Sequence, residues 1–275
     1  MGTPPMQSNP SDHTPGQLGC YDAAFVRRTA PKLERLLHGY FRARIHGLER
    51  VPEGPFLAVG NHSGVGLVPD ALVWLSAYHS ARRPTPLLTL VHDQMFDNYP
   101  RRLARWVARF GAMRADPDHA LAALRQGYAV QVYPGGDHDA CRPFSQRNQV
   151  VFAGRTGYVE LARAAGVPIV PIAAIGGHET LIILSEGRRL ARRLGVDRKL
   201  RLESFPVSLS IPWGLWIGPP PGYVPLPSRI EIDVLEPIDP EVVAAGSTVE
   251  IDARVRGALQ AAIDRRAANR RLLFG

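Results

Sequence analysis

The pattern of apolar and polar positions divides this 275-residue chain into short, continuously apolar runs and longer amphipathic stretches. The apolar runs predict buried strands, and the amphipathic stretches predict helices that pack on them. The predicted strands span residues 55–59, 86–91, 129–133, 167–175 and 229–235. The predicted helices span residues 71–78, 99–109, 118–126, 157–165 and 249–273. Because strands and helices alternate through the middle of the chain, we expect an α/β fold with a mostly parallel central sheet flanked by helices.

The N-terminal part of the chain has a pattern of its own. Residues 1–20 are rich in Pro, Ser, Gly and Thr, which predicts a disordered tail without a signal peptide. Residues 22–44 then predict an N-terminal amphipathic helix with arginines outside its apolar stripe. The stripe is expected to consist of Leu33, Leu36, Leu37, Tyr40 and Phe41. Residues 21–275 are expected to form a single domain, with its core at residues 40–240 and the last predicted helix closing it.

Charge narrows the range of partners. The chain carries 33 basic against 25 acidic side chains, a net charge of +8 and an isoelectric point near 10.0. Lys32 and Lys199 are its only lysines, so the basic residues are almost all arginines, which suit bidentate contact with phosphate. This predicts an anionic partner, either a phospholipid surface, a phosphorylated substrate or nucleic acid. Because nothing in the sequence resembles a nucleic-acid-binding motif, we expect no nucleic acid.

Two segments fit a lipid surface. Residues 186–202 are rich in arginine, which is typical of a solvated helix face, of an interfacial lipid-binding segment or of a dock for a phosphorylated carrier. Residues 206–223 are rich in Pro, Gly and Trp, which predicts irregular structure in which Trp213 and Trp216 can anchor at a membrane interface. The longest apolar run, residues 167–175, is too short to cross a bilayer. We therefore expect a cytoplasmic protein that lies peripherally on the cytoplasmic membrane.

The candidate chemistry centres on residues 60–70, which begin Gly-Asn-His-Ser-Gly. His62 lies on a glycine-rich turn at the end of a predicted strand, and Asp70 stands where a helix would begin. Taken alone, each residue is more typical of a structural role than of a catalytic one; Asp, for example, is a common helix cap. Together they indicate a histidine base oriented by a carboxylate. Two further loops, at residues 134–142 and 176–179, follow strands and are expected at the same edge of the sheet, where α/β proteins place their sites.

Four blocks in order resemble the glycerolipid acyltransferase family, in particular the enzymes that acylate lysophosphatidic acid. The blocks are Asn61-His62 with a downstream Asp, Gly111-Ala112-Met113-Arg114, Tyr133-Pro134-Gly135-Gly136 and Val167-Pro168-Ile169-Val170-Pro171. No single block is specific, but their order and spacing are, and the resemblance covers about residues 40 to 240. The third block, usually Pro-Glu-Gly-Thr-Arg, is here a variant that resembles the branch near the diacylglycerol acyltransferases.

The resemblance implies roles for particular residues. His62 would be the general base and Asp70 would orient its imidazole, although this Asp lies eight positions after the histidine rather than five. Arg114 would contact the polar head of the acceptor. The residues expected to help bind substrate are Asn61, Arg114, Pro134, Gly135, Gly136, Arg142 and Pro171. Backbone N–H groups near His62 or at Gly135–Gly136 are candidates for stabilising the oxyanion of the reaction.

The activity implied by the resemblance is O-acyl transfer. A fatty acyl group would move from a thioester, acyl-CoA or acyl-carrier protein, to a hydroxyl of a glycerolipid such as lysophosphatidic acid, without an acyl-enzyme. The thioester is a co-substrate, so no resident cofactor or metal is expected. Two cysteines and no zinc-type spacing agree with this expectation. The expected partners are the thioester donor, for which acyl-carrier protein is one candidate, the glycerolipid acceptor and an anionic membrane surface.

Other hypotheses stay open at this point. A metal-dependent phosphoesterase would use ligands from the same loops, namely His62, His92, Asp93, Asp137, His138 and Asp139. A non-catalytic basic module on lipid would need only the arginines. Two side chains are alternative nucleophiles: Ser63, which lacks the Gly-x-Ser-x-Gly context, and Cys141, which lies near His138.

Overall fold

The structure, a computed structural model, describes residues 13–62, 68–195 and 204–270. The α-helices within these ranges are α1 (Ala23–Phe41), α2 (Pro69–Ser80), α3 (Gln94–Asp97), α4 (Arg101–Arg109), α5 (Pro117–Arg125), α6 (Gly136–Ala140), α7 (Gly157–Ala165), α8 (Arg188–Leu194), α9 (Pro240–Ala245) and α10 (Thr248–Ala268). The strands are β1 (Arg44–His46), β2 (Leu57–Gly60), β3 (Leu87–Val91), β4 (Ala112–Arg114), β5 (Ala129–Val132), β6 (Ile169–Ile175), β7 (Ile182–Ser185), β8 (Val207–Ser210), β9 (Gly214–Ile217) and β10 (Glu231–Val234).

Seven strands form the central sheet, in the order β1-β10-β6-β2-β5-β3-β4. The five strands from β6 to β4 are mutually parallel, whereas β10 runs antiparallel to β6 and β1 pairs in parallel with β10. The predicted α/β fold with a mostly parallel sheet is therefore confirmed. Every residue of β2 is buried, as expected for the central strand of a sheet covered on both faces. Residues 61 and 62, which follow β2, therefore lie at the middle of the sheet, beyond the carboxyl end of its central strand.

Helices cover both faces of this sheet. One apolar layer joins the sheet to α5, α7 and α10, through residues such as Leu124, Val159 and Leu259. The other joins it to α1 and α2, through residues such as Phe41 and Trp74. Helix α2 is buried around almost its whole circumference, because it lies between α1 and the sheet. This burial holds α2, whose first turn contains Asp70, in one position against the sheet.

The amphipathic helix predicted near the N-terminus is α1, but its buried stripe differs from the prediction. The buried residues are Val26, Ala30, Leu37 and Phe41. Leu36, expected in the stripe, is 67% exposed, and Tyr40 is also exposed. The small side chains of Val26 and Ala30 allow α1 to lie close to α2, so the interface follows them and turns Leu36 outwards.

Three further segments differ from the sequence-based expectation. Residues 206–223 are not irregular throughout, since β8 and β9 pair antiparallel with β7 in a second, three-stranded sheet. The predicted loop at 134–142 contains α6. Residues 13–20 are not a disordered tail, because Cys20 is buried and the Gly16 carbonyl accepts a hydrogen bond from the Arg114 N–H.

Some expectations fall partly outside the described ranges. Residues 1–12 of the predicted tail, residues 196–202 of the arginine-rich segment and the last residues of the predicted closing helix are among them. The described part of that closing helix, α10, begins with a capping box in which Ser247 and Glu250 bond to each other's backbone N–H groups. Of the helices in the described ranges, none combines the length and the apolar character needed to span a membrane.

Candidate active site

His62 lies just beyond the carboxyl end of β2, at the middle of the sheet edge. Its ring stacks on the ring of Tyr133, with centroids 4.7 Å apart and planes 25° apart. Gly60 makes room for Tyr133, because a Cβ on Gly60 would lie 2.9 Å from the Tyr133 Cε1 atom. The sequence positions the histidine where predicted, and the aromatic residue after β5 forms one wall of its site.

Asn61 fastens the end of β2 to the neighbouring strand β6. Its side-chain Nδ2 donates to the Ala174 carbonyl at 2.8 Å, and its Oδ1 accepts from the Ala174 N–H at 2.8 Å. The amide thus replaces a pair of backbone ladder bonds where β2 ends. Asn61 is buried and both ends of its amide bond to Ala174, which is a structural role; its contact with substrate stays a prediction. In this role Asn61 holds the backbone from which His62 projects.

Asp139, on α6, holds the His62 backbone from the opposite side. One carboxylate oxygen, Oδ2, accepts from the His62 N–H, and the other, Oδ1, accepts from the Val151 N–H at 3.1 Å. Asp139 is fully buried. Gly135 permits this close packing, since a Cβ there would lie 2.3 Å from both the Asp139 Cβ and the Val151 carbonyl oxygen. The sequence pointed to Asp139 only as a metal ligand, although its place in the helical turn after Pro-Gly-Gly marks it as part of the site.

Arg142 completes this buried cluster. It forms an ion pair with the Asp139 carboxylate and donates to the carbonyls of Asp139 at 2.6 Å and His62 at 3.2 Å. Its remaining N–H groups donate to the carbonyls of Gln146 and Arg147, both at 3.0 Å. The side chain is 1% exposed. The guanidinium of Arg142 is enclosed and its donors bind groups of the protein itself, so the structure gives it a structural role, and its contact with substrate stays a prediction.

The electrostatics of the site favour a neutral imidazole. Burial, with the positive charge of Arg142 as a second cause, lowers the pKa of His62 to about 4. The same causes hold the pKa of His178, which lies in the turn after β6, well below its ordinary value, and the charge of His62 lowers it further. Burial raises the pKa of Asp139, against the opposing effect of Arg142. No role was predicted for His178, which the fold brings beside His62.

Asp70 reaches the same site from the first turn of α2. Its carboxylate is buried, and its charge raises the pKa values of Tyr133 and Tyr223 in addition to the larger effect of burial. Tyr133, whose pKa the charge of Asp70 affects, is also the residue on whose ring His62 stacks. The Nδ1 atom of His62 is buried and bonds to none of the described residues, so the pairing of Asp70 with His62 stays a prediction. The intervening residues 63–67, which include Ser63 and the extra length of this turn, lie outside the described ranges.

Arg114 lies at the end of β4, an edge strand. Three interstrand spacings of about 4.8 Å separate β4 from β2, or about 14 Å. The Arg114 guanidinium binds Asp97 at 2.7 Å and Asp93 at 3.1 Å and lies over the ring of Phe96. Its side chain is partly exposed, and its contact with an acceptor head group stays a prediction.

The glycines and prolines of the third and fourth blocks have mainly structural surroundings. The Gly136 N–H donates to the Tyr133 carbonyl at 3.0 Å, so it is not available to an oxyanion as proposed from the sequence. Pro134 is half-buried in the same turn. Pro171 lies within β6 opposite Val59 of β2, and its carbonyl accepts from the Leu235 N–H at 3.0 Å. Direct contact of Pro134, Gly135 and Pro171 with substrate stays a prediction.

The alternative chemistries gain no support from the described residues. These residues contain no group of three or more His, Cys, Asp or Glu side chains arranged to hold a metal ion. Two of the proposed ligands, Asp93 and Asp139, face arginines instead. Cys141 is buried, and burial raises the pKa of its thiol, which disfavours the thiolate that a nucleophile requires.

Comparison with known proteins places this geometry in a family. A family model described as Acyltransferase matches residues 42–175. An uncharacterized protein of Mycobacterium tuberculosis is 31% identical over 266 residues, covering 92% of this chain and 69% of the relative. A Gallus gallus protein named "DGAT1/2-independent enzyme synthesizing storage lipids" is 29% identical over 230 residues, covering 83% of this chain and 60% of the relative.

A solved structure shares the fold. The 1-acyl-sn-glycerophosphate (LPA) acyltransferase PlsC from Thermotoga maritima superposes with a TM-score of 0.54 at 17% identity, covering 89% of this chain and 82% of that one. The region that the family model matches, residues 42–175, contains β2, His62 and the whole of α6, which together form the site described above. The resemblance seen in four short blocks is thereby confirmed, and the chain belongs to the glycerolipid acyltransferase family.

Proposed function

We propose that this acyltransferase moves a fatty acyl group from a thioester to a glycerolipid hydroxyl, with His62 as general base. The observation that carries the proposal is the environment of His62. A neutral imidazole stands at the carboxyl end of the central strand, stacked on Tyr133 and held through its backbone by Asp139 and Arg142. Family membership supplies the reaction class, and the site supplies a base to perform it.

The proposed step needs one proton acceptor and one activated acyl group. The Nε2 atom of His62 takes the proton from the acceptor hydroxyl, because Nδ1 is buried. The hydroxyl oxygen forms a bond to the thioester carbonyl carbon, the C–S bond breaks, and the imidazolium returns the proton to the departing thiolate. Asp70 would stabilise the imidazolium by pairing with Nδ1. The thioester is already activated, so this step uses no acyl-enzyme and no resident cofactor.

The acceptor we favour is a neutral glyceride rather than a phosphorylated lysolipid. Arg142, the arginine expected to bind a phosphate, is enclosed by protein. Arg114 retains partial exposure but already pairs with two aspartates. The Gallus gallus relative is named for the synthesis of storage lipids, which agrees with a neutral acceptor. Acyl-CoA and acyl-carrier protein both satisfy the proposed chemistry as donors.

A product assay tests the proposed function. Purified protein is incubated with a labelled acyl-CoA or acyl-carrier protein and, separately, with lysophosphatidic acid, monoacylglycerol or diacylglycerol, and the lipids are identified by mass spectrometry. We expect acylated product with at least one acceptor and more with the neutral glycerides than with lysophosphatidic acid. Release of free fatty acid alone, at a rate that no acceptor changes, would contradict acyl transfer. Phosphate release from phosphatidic acid would instead support the phosphoesterase hypothesis.

The pH dependence of the reaction should report the pKa of His62. A general base must be unprotonated, and the lowered pKa means that the active form persists well below the ordinary histidine value of 6.5. We expect kcat/KM to stay level as the pH falls from 7 towards 5 and to decline only near pH 4. Near-ultraviolet circular dichroism at each pH separates this decline from unfolding. A decline centred at 6.5 in folded protein would show that the free imidazole is not desolvated in this way.

A further inference from the structure

In β8, the middle strand of the small sheet formed by β7, β8 and β9, the usual pattern of buried and exposed residues is reversed. Along β8, the side chains of Ser208 and Ser210 are buried, whereas Leu209 between them is exposed. Successive side chains of a strand point to opposite faces, and a sheet with one face in water normally turns its apolar face inwards. Strand β8 turns its serines towards the protein and its aliphatic side chains outwards, while Ile183 of β7 is buried on the inner face.

Cross-strand pairing continues the apolar face over all three strands. Leu209 is paired with Leu215 of β9 and Ile182 of β7, and Val207 is paired with Ile217. Leu215 is 63% exposed and Ile217 is 56% exposed. We name this surface the outer face; its residues are Ile182, Val207, Leu209, Leu215 and Ile217.

Neighbouring exposed side chains enlarge the outer face. Ile211 and Trp213, in the turn between β8 and β9, are exposed, and a bridge between Ile211 and Val224 adds exposed Val224. An apolar groove of about 200 Å³ opens here, lined by Ile182, Leu209, Ile211, Val224 and Leu226 among others. The Tyr40 hydroxyl of α1 donates to the carbonyl of Pro225, the residue after Val224, so the exposed Tyr40 lies close to this surface. Folded domains seldom expose an apolar surface of this extent unless it is a contact site.

Positive charge lies beside this surface. Helix α8 follows β7 after two residues and presents Arg189, Arg192 and Arg193 to solvent, with no acidic residue in the helix. Within the described ranges these three arginines form no salt bridge, whereas Arg188 pairs with Glu186. The rings of Trp213 and Trp216 lie 5.6 Å apart at the other end of the sheet. An apolar face flanked by the α8 arginines and by the exposed Trp213 matches an anionic bilayer surface.

We propose that the outer face docks on an anionic lipid bilayer, with the α8 arginines on lipid phosphates and the aliphatic side chains among the acyl chains. This rests on the proposed function, because a glycerolipid acceptor is held in such a surface. A second copy of the chain is a poorer occupant, since a two-fold contact through this face brings the α8 arginines of both copies near each other. The segment joining the face to the site is short. Thr180 lies two residues after His178 and two before β7, and its carbonyl accepts from the Leu226 N–H.

Vesicle flotation tests the docking surface without requiring catalysis. The full chain is mixed with vesicles of phosphatidylcholine, with or without phosphatidylglycerol, and the floating fraction is measured. We expect binding that increases with phosphatidylglycerol. The double variant Leu215→Asn, Ile217→Asn should bind at least about tenfold more weakly, because two aliphatic side chains that the bilayer would bury are lost from the contact. The triple variant Arg189→Gln, Arg192→Gln, Arg193→Gln should lose the preference for phosphatidylglycerol.

The matched control is Val249→Asn, which places the same change at a residue that is 74% exposed and lies in the first turn of α10, outside the outer face. Its flotation should equal that of the wild type, and thermal melts should show that all variants fold. Equal flotation of the wild type and the Leu215/Ile217 variant would overturn the proposal. So would a dimer in light scattering that these substitutions convert to monomer. Vesicle binding without acylated product would leave the docking surface intact and overturn the proposed function alone.

Discussion

His62→Ala is expected to lower kcat/KM for acyl transfer by about 10²–10⁴-fold, the usual contribution of a general base. The loss should fall on kcat, because the substitution removes the proton acceptor from the transition state. The contacts that shape the turn are made by the His62 backbone, whose N–H binds Asp139 and whose carbonyl binds Arg142. Alanine keeps both contacts and removes only the ring stacked on Tyr133. The measurement is steady-state transfer of a labelled acyl group to whichever acceptor the wild type uses.

A matched control is His119→Ala, because His119 is an exposed histidine on α5, far along the chain from the proposed base. It should retain wild-type kcat/KM. His62→Gln separates the two roles of the imidazole, since glutamine can donate and accept hydrogen bonds but cannot take a proton near neutral pH. We expect His62→Gln to be as inactive as His62→Ala. Turnover within a few-fold of wild type in a folded His62→Ala protein would remove His62 from the mechanism.

The position of His62 could be predicted because it depends on local pattern. A continuously apolar run followed by Gly60-Asn61-His62 predicts a buried strand and then a turn, and β2 is indeed the central strand. The convergence of the α6 turn and the 176–179 turn followed from the rule that parallel strands end at one edge. These expectations needed only periodicity and topology.

The roles of Asn61 and Arg142 could not be predicted in the same way. The sequence of a motif is the same whether a polar side chain in it contacts a substrate or the protein's own backbone. The side-chain amide of Asn61 bonds to the backbone of Ala174 on β6, which lies 113 positions further along the chain. The guanidinium of Arg142 bonds to four backbone carbonyls and to the Asp139 carboxylate. Both partners are set by tertiary packing, which no local spacing reports.

The prediction of irregular structure for residues 206–223, which contain two strands of the small sheet, failed for a different reason. The segment that contains β8 and β9 is short in each strand and crowded with proline and glycine, a composition typical of loops. The prolines fall outside the four-residue strands, where the missing N–H costs no ladder bond. The alternation of Val207 and Leu209 with serines is itself typical of a strand, but it predicts that the aliphatic face is buried, whereas in the structure the serines are buried. The Pro- and Gly-rich composition thus predicted irregular structure for a segment in which residues 207–210 and 214–217 form strands.

Arg142→Met is expected to lower the free energy of unfolding by about 3–5 kcal/mol, the usual cost of removing one member of a buried ion pair. Methionine keeps much of the volume but leaves the Asp139 carboxylate buried without its counter-charge. It also releases the carbonyls of His62, Gln146 and Arg147, which lose their donors. Because one of these carbonyls belongs to His62, kcat should fall as well. Denaturant unfolding followed by circular dichroism measures the first effect, and steady-state acyl transfer measures the second.

Arg155→Met provides the control for loss of an arginine beside α6. Arg155 pairs with Asp137 at 3.3 Å but is substantially exposed, so its removal should cost no more than about 1 kcal/mol. The double variant Asp139→Asn, Arg142→Met should be more stable than Arg142→Met alone, because it no longer buries an uncompensated charge. If Arg142→Met unfolds too easily to assay, the comparison of Asp139→Asn with the wild type still measures the pair. Stability of Arg142→Met within 1 kcal/mol of wild type would mean that water or a neutral Asp139 compensates the loss, and the cluster would then not be what fixes the His62 turn.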